Sequence, residues 1–148
     1  MLIPVARDFS FSEVLKASGA TRSDLLSLLR AGVVKGSAKD TTGPGDHRRF
    51  TADDIFQTRL ALAIKRLGVG SRQQQAVVHE ALGVLLKVRP IPPFVVITKV
   101  EPRGVTLRLA TDQAQGHPIG DLTQLPTGLV VNTKSLIAET EAAIARLE

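Results

Sequence analysis

Cysteine is absent from this 148-residue chain, as are tryptophan and tyrosine, and methionine occurs once. Without cysteine there is no disulfide framework, thiolate nucleophile, zinc finger or thiol-based metal or redox sensor. Aromatic residues make up only 3% of the chain, all of them phenylalanine. The core must therefore be built from Leu, Val, Ile and Ala, and few rings remain to stack on unpaired bases as single-strand binders require. No apolar run approaches the roughly 20 residues needed to span a bilayer. The opening Met1-Leu2-Ile3-Pro4-Val5-Ala6-Arg7-Asp8 has neither the basic region nor the apolar run of a secretory signal, so the expected location is the cytoplasm. His47, His79 and His117 fall in three different elements without metal-ligand spacing. No Ser-His-Asp set or carboxylate pair stands out, so neither an enzyme nor a metal or other cofactor is expected.

Hydrophobic residues at 43% and charged residues at 22% describe a folded globular chain. Its length suits one domain, or two small ones sharing a modest core. The formal charge is +5 and the isoelectric point about 10.1. Residues 1–80 hold 12 Lys and Arg against 8 Asp and Glu, and residues 81–148 hold 7 against 6, so the excess lies in the first half. A basic balance of this kind is the electrostatic footprint of a polyanion-binding protein.

Capping signals punctuate the first half. Ser10 and Glu13 have capping-box spacing, with Phe9 and Val14 placed for a hydrophobic staple, and the helix they open presents Phe11, Val14 and Leu15 before stopping at Gly19. Thr21 and Asp24 open a second helix, with Leu25, Leu28 and Leu29 as its apolar face and Gly32 as its end. Two short helices joined by Gly19-Ala20 have the connection length of a helix-turn-helix. Val33-Val34 and His47-Arg48-Arg49-Phe50 read as short strands flanking the polar, Gly-rich Lys35–Asp46, which is the pattern of a wing. Thr51 caps a third helix with a stripe of Phe56, Leu60, Ala63, Ile64 and Leu67, and Ser71 begins a fourth with Val78, Ala81, Leu82 and Leu85 inward.

Arg89-Pro90-Ile91-Pro92-Pro93 breaks the helical pattern and predicts an extended connector over 89–93. Beyond it, 94–100, 105–109 and 129–131 read as strands. A last helix, begun by Asn132 or Thr133, carries Leu136, Ile137, Thr140, Ile144 and Leu147. The expected class is α+β: a winged helix-turn-helix over 1–88, then a small β-rich module over 94–148 that ends in a helix. Phe94-Val95-Val96-Ile97 is apolar on both faces and must be covered on both. The last helix is expected on one face. A second subunit is expected on the other, with folding back onto the fourth helix as the alternative.

Three separated pieces carry a family likeness: Gly19-Ala20-Thr21-Arg22-Ser23-Asp24-Leu25 with Arg30-Ala31-Gly32-Val33-Val34; His47-Arg48-Arg49-Phe50-Thr51-Ala52-Asp53-Asp54-Ile55; and Leu67-Gly68-Val69-Gly70-Ser71. In this order and spacing, over roughly residues 9–82, they resemble the DNA-binding half of the MerR family of bacterial transcriptional regulators. The chain departs from the family pattern at Leu26-Ser27-Leu28, where an Arg followed by two aromatics is usual, and in having no long dimerising helix.

The resemblance implies a duplex-DNA-binding regulator whose second helix is the recognition helix. Thr21, Arg22, Ser23, Ser27 and Arg30 are then the candidates to meet DNA from that helix. The alternatives are a solvated first-turn residue for Arg22 and a cation near the helix C-terminus for Arg30. Arg48 and Arg49 alternate along the chain and point to opposite sides, and the resemblance selects Arg48 as the phosphate contact. Lys35, Lys39 and His47 are further phosphate candidates around the wing. One such module reads only a half-site, so a homodimer on a palindrome is expected. Two other readings stay open. One is an excisionase-like or architectural DNA-binding protein of a phage or mobile element. The other is a protein-interaction adaptor on a winged-helix scaffold, for which Leu26 and Leu28 speak.

Overall fold

A computed structural model of the chain describes residues 2–37, 48–68, 71–87, 91, 93–101, 104–111, 117–118 and 129–148. The described elements are α1 (Phe11–Ser18), α2 (Arg22–Arg30), α3 (Ala52–Arg66), α4 (Ser71–Leu85), β1 (Phe94–Glu101), β2 (Gly104–Thr111), β3 (His117–Pro118), β4 (Leu129–Asn132) and α5 (Thr133–Ala145). The fold is α+β. Two compact units divide it: Met1–Leu62 with Ile137–Glu148, and Ala63–Leu136. These limits fall within α3 and α5 rather than at the proline-rich stretch, of which Arg89, Pro90 and Pro92 lie outside the described residues.

In the first unit, local hydrogen bonding decides where helices begin. Both halves of the capping box expected at Ser10 and Glu13 are made, and Gly19 ends α1 at φ 71°, its N–H donating to the Leu15 carbonyl. Glycine adopts this left-handed backbone without a Cβ penalty. Ser18 closes the corner: its hydroxyl donates to the Val14 carbonyl at 2.6 Å and accepts from the Ala20 N–H at 3.2 Å. Phe9, Val14, Leu25, Val34, Phe50, Ile55, Phe56 and Leu60 form the core of this unit, each at most 2% exposed. Arg59 joins three of its helices. One guanidinium nitrogen donates to the Ala17 carbonyl at the end of α1, and the other pairs with Glu139 of α5 at 2.9 Å.

The strand expected at Val33-Val34 does not form. Both of these N–H groups donate to the Leu28 carbonyl, at 3.0 and 3.4 Å, so the chain wraps the end of α2 instead of extending. Satisfying the orphan carbonyls of the last helical turn outweighs the β-propensity of two valines. Phe50, expected in a second wing strand, pairs instead with Phe9 as an isolated antiparallel bridge, with N–H···O distances of 2.8 and 2.9 Å.

In the second unit β1 is central, with the sheet order β3-β2-β1-β4. β1 pairs antiparallel with β2 and with β4, and β2 pairs parallel with β3. Val95 faces Val131 across the β1–β4 ladder and both are buried, whereas Val130, one residue along, is 49% exposed. Here α4 packs against β1 and β2. Folding back onto the fourth helix is therefore present within one chain. Val78, Ala81, Leu82 and Leu85 are inward as expected, joined by Val77, while Leu67, assigned to the α3 stripe, is 45% exposed beyond the end of that helix. Asn132 begins α5, its side-chain oxygen accepting from the Ser135 N–H at 2.9 Å.

Candidate nucleic-acid interface

Threonine at position 21 starts α2. Its hydroxyl accepts from the Asp24 N–H at 3.1 Å, and the Asp24 carboxylate accepts from the Thr21 N–H at 3.0 Å and its hydroxyl at 2.8 Å. This reciprocal cap satisfies orphan donors of the first turn and engages the one acid of the helix. Nine residues follow, and their burial divides them cleanly. Leu25 and Leu28 are buried, and Leu29 is half-buried beside them. At helical spacing Arg22, Leu26 and Arg30 form one row, and Ser23 and Ser27 the next. All of these are exposed except Leu26, which is half-buried. The open face of α2 thus presents two guanidinium groups, two hydroxyls and one partly exposed leucine, with no carboxylate.

Arg22 is not adrift in solvent. Its guanidinium carbon lies 5.3 Å from the centroid of the Phe11 ring, within cation–π range. The Phe11 ring in turn meets Phe50 edge-to-face, with centroids 6.3 Å apart and planes at 65°. Gly36 packs against that second ring: it has φ 63°, and a Cβ there would come within 3.0 Å of Phe50 Cε1. Ser37 and Arg49 close the chain at this place. The Ser37 N–H donates to the Arg49 carbonyl at 2.7 Å, and the Arg49 N–H donates to the Ser37 hydroxyl at 2.8 Å.

Of the remaining candidates, Lys35 and Arg49 are exposed and Arg48 is half-buried. Lys39 and His47 lie outside the described residues, with the rest of 38–47. The structure thus gathers Arg22, Ser23, Ser27 and Arg30 on one short helix capped by Thr21, and sets Arg49 in the Ser37–Arg49 closure with Lys35 two residues before it. Phe11, Gly36 and Ser37 escape a reading of the sequence. Gly36-Ser37 carries a turn signal, but nothing in the chain announces that Phe11 and Arg22 meet.

A concavity of about 350 Å³ lies between the N-terminal segment and the start of α3, lined in part by Ile3, Val5, Arg7, Asp8 and Asp53. Arg7 stacks over Phe9 at 4.4 Å and pairs with Glu13 at 3.2 Å. The hydrogen bonds that Ser10 donates to Glu13, together with the nearby Arg7 charge, hold the Glu13 carboxyl below the usual carboxylate range. Among the described residues no group of three or more His, Asp or Glu could hold a metal ion, and no helix is long and apolar enough to cross a membrane. Neither a protein-family model nor a curated protein matches this chain.

Proposed function

We propose that this chain is a sequence-specific duplex-DNA-binding protein of winged helix-turn-helix type, acting as a transcriptional regulator, with α2 as the helix that enters the major groove. The observation that carries the reading is the open face of α2. It offers Arg22, Ser23, Ser27 and Arg30, all exposed, on a helix whose only acid is tied into its own cap. Arginine pairs bidentately with guanine, serine hydroxyls bond to base edges or phosphate, and a leucine between them can touch a thymine methyl. The net charge of +5, concentrated in the first half of the chain, and the MerR-like order of motifs support the same reading. Arg49 forms, and Lys35 closely precedes, the closure from which a wing would project toward the phosphate backbone. A twofold dimer on a palindromic site belongs to this proposal, because a single nine-residue helix covers only a half-site.

Selection of duplexes from a random-sequence pool, followed by binding titrations over a range of salt, tests it. A preferred duplex should emerge, protected as a palindrome by two copies of the chain. On that duplex Arg22→Ala should lose about 1–3 kcal/mol and relax one base position. Arg48→Ala and Arg49→Ala should weaken all duplexes alike, and whichever residue grips phosphate should flatten the salt slope by about one unit. Absence of duplex binding at low salt would refute the proposal. Retained capture of an acidic protein by the Arg22–Leu26–Arg30 row would then favour the adaptor reading.

A further inference from the structure

We propose that Phe11 is a positioning residue for DNA recognition: its ring holds the Arg22 guanidinium and locks against Phe50, which fixes the leading arginine of α2 relative to the segment carrying Arg48 and Arg49. The inference rests on the DNA-binding reading above and adds to it how the two contact regions are kept in register.

Two contacts meet at this ring, and two further features hold it in place. Arg22 stands over it at 5.3 Å, although the residue as a whole is exposed. Phe50 meets it edge-to-face, and Phe50 is itself held by two backbone hydrogen bonds to Phe9. Gly36 leaves room for the Phe50 ring where any side chain would crowd it. Phe11 is 7% exposed and begins a helix whose capping box is complete, so the platform under Arg22 belongs to the rigid part of the unit.

The chemistry suits recognition. A cation held at the face of a ring spends none of its N–H donors on that contact, so the five donors of the guanidinium remain available for a base or a phosphate. A long exposed arginine gives up rotamer freedom when it binds, and one already held against a ring gives up less. The contact therefore raises discrimination at the Arg22 position without adding a bond to the DNA. Because Phe11 carries no charge, it does this without changing the number of phosphates neutralised.

The experiment uses the full chain, the duplex it selects from a random pool, and a scrambled duplex of the same composition. The readout is the affinity ratio between the two, measured for wild type, Arg22→Ala, Phe11→Leu, Phe11→Tyr and the Arg22→Ala/Phe11→Leu pair, with thermal melts as a folding control. Arg22→Ala should lower the ratio about tenfold. Phe11→Leu should lower it about threefold, the size of an exposed cation–π contact, with the salt slope unchanged. Phe11→Tyr, which keeps the ring, should retain the wild-type ratio. In the Arg22→Ala background Phe11→Leu should add nothing further. NMR relaxation of the Arg22 Nε–H in the wild-type chain gives a second measurement that needs no variant to fold: restricted motion is expected. An Arg22 side chain as mobile as a free arginine overturns the inference, as does a Phe11→Leu effect of equal size with and without Arg22, or no effect. A wild-type chain that selects no duplex overturns the DNA-binding reading and this inference with it. One that selects a duplex indifferent to Phe11→Leu overturns this inference alone.

Discussion

Helices α2 and α3 begin with the same device and serve opposite ends. Each opens on a Thr-x-x-Asp box, Thr21 to Asp24 and Thr51 to Asp54, and in each the carboxylate accepts from the threonine N–H and hydroxyl. After that they diverge. In α2 the first two residues, Arg22 and Ser23, stand exposed. In α3 the corresponding Ala52 is 2% exposed, and Asp53 accepts the Leu2 and Ile3 N–H groups at 3.0 Å. The free donors and positive end of a helix attract anions wherever they are left open. Both starts carry a capping aspartate, but in α3 a second one, Asp53, draws the N-terminal segment over the helix start. In α2 Arg22 and Ser23 stand there instead, exposed. Two equal local signals thus acquire different uses from what packs around them.

The largest expected effect lies on the α3 side of this comparison. Phe56, 0% exposed, should lose about 3–5 kcal/mol of stability on replacement by alanine. Leu26→Ala on the half-buried row of α2 should lose well under half of that. Urea denaturation of both variants decides it, and similar losses would mean that the outer row of α2 is packed as firmly as the inner face of α3 and that α2 has no face to spare.

Next in size are the caps themselves. Asp54 is 9% exposed, and Asp54→Ala strips both bonds that Thr51 makes to its buried carboxylate, for an expected loss of about 1–2 kcal/mol. Asp24→Ala acts on exposed hydrogen bonds and should lose about 0.5–1 kcal/mol. Reversal of this order in thermal melts would show that burial does not distinguish the two boxes.

The smallest effect sharpens the comparison with a third box, that of α1. Folding depresses the Glu13 pKa, chiefly through the bonds from Ser10 and then the nearby Arg7 charge. Its contribution is therefore complete above the ordinary carboxylate value and is lost as pH falls through the lower, folded-state value. Glu13→Gln should be slightly less stable than wild type at neutral pH, and the two stability curves should converge below that range. Parallel curves across the acid limb would remove Glu13 from the acid sensitivity of the fold.

Much of this is open to inspection in the chain. The boxes at Ser10 and Thr21 are local patterns over four residues, so they survive whatever the tertiary structure does. The inward residues of α4 follow from a 3.6-residue period. Local pattern misleads where distant chain decides. Val33 and Val34 have strand-forming side chains, but the Leu28 carbonyl captures both N–H groups. Phe50 finds Phe9, forty-one residues earlier, rather than a neighbour across a wing. Leu67 continues the α3 stripe on paper, yet its N–H closes the helix onto Ala63 and Ile64 and its side chain is left outside. At the candidate interface, the α2 residues are picked out by the resemblance in motif order, whereas the Phe11–Arg22 contact depends on the corner set by Ser18 and Gly19 and has no signature in composition.

The Ser37–Arg49 closure has a consequence for how this protein can change. Two hydrogen bonds join Ser37 to Arg49, so the chain leaves and rejoins the packed unit at one closed pair. Doubling the length of a closed loop adds only about 0.6 kcal/mol of closure entropy. By closure entropy alone, the clasp is a splice point, where a segment of different length can be fitted at little cost.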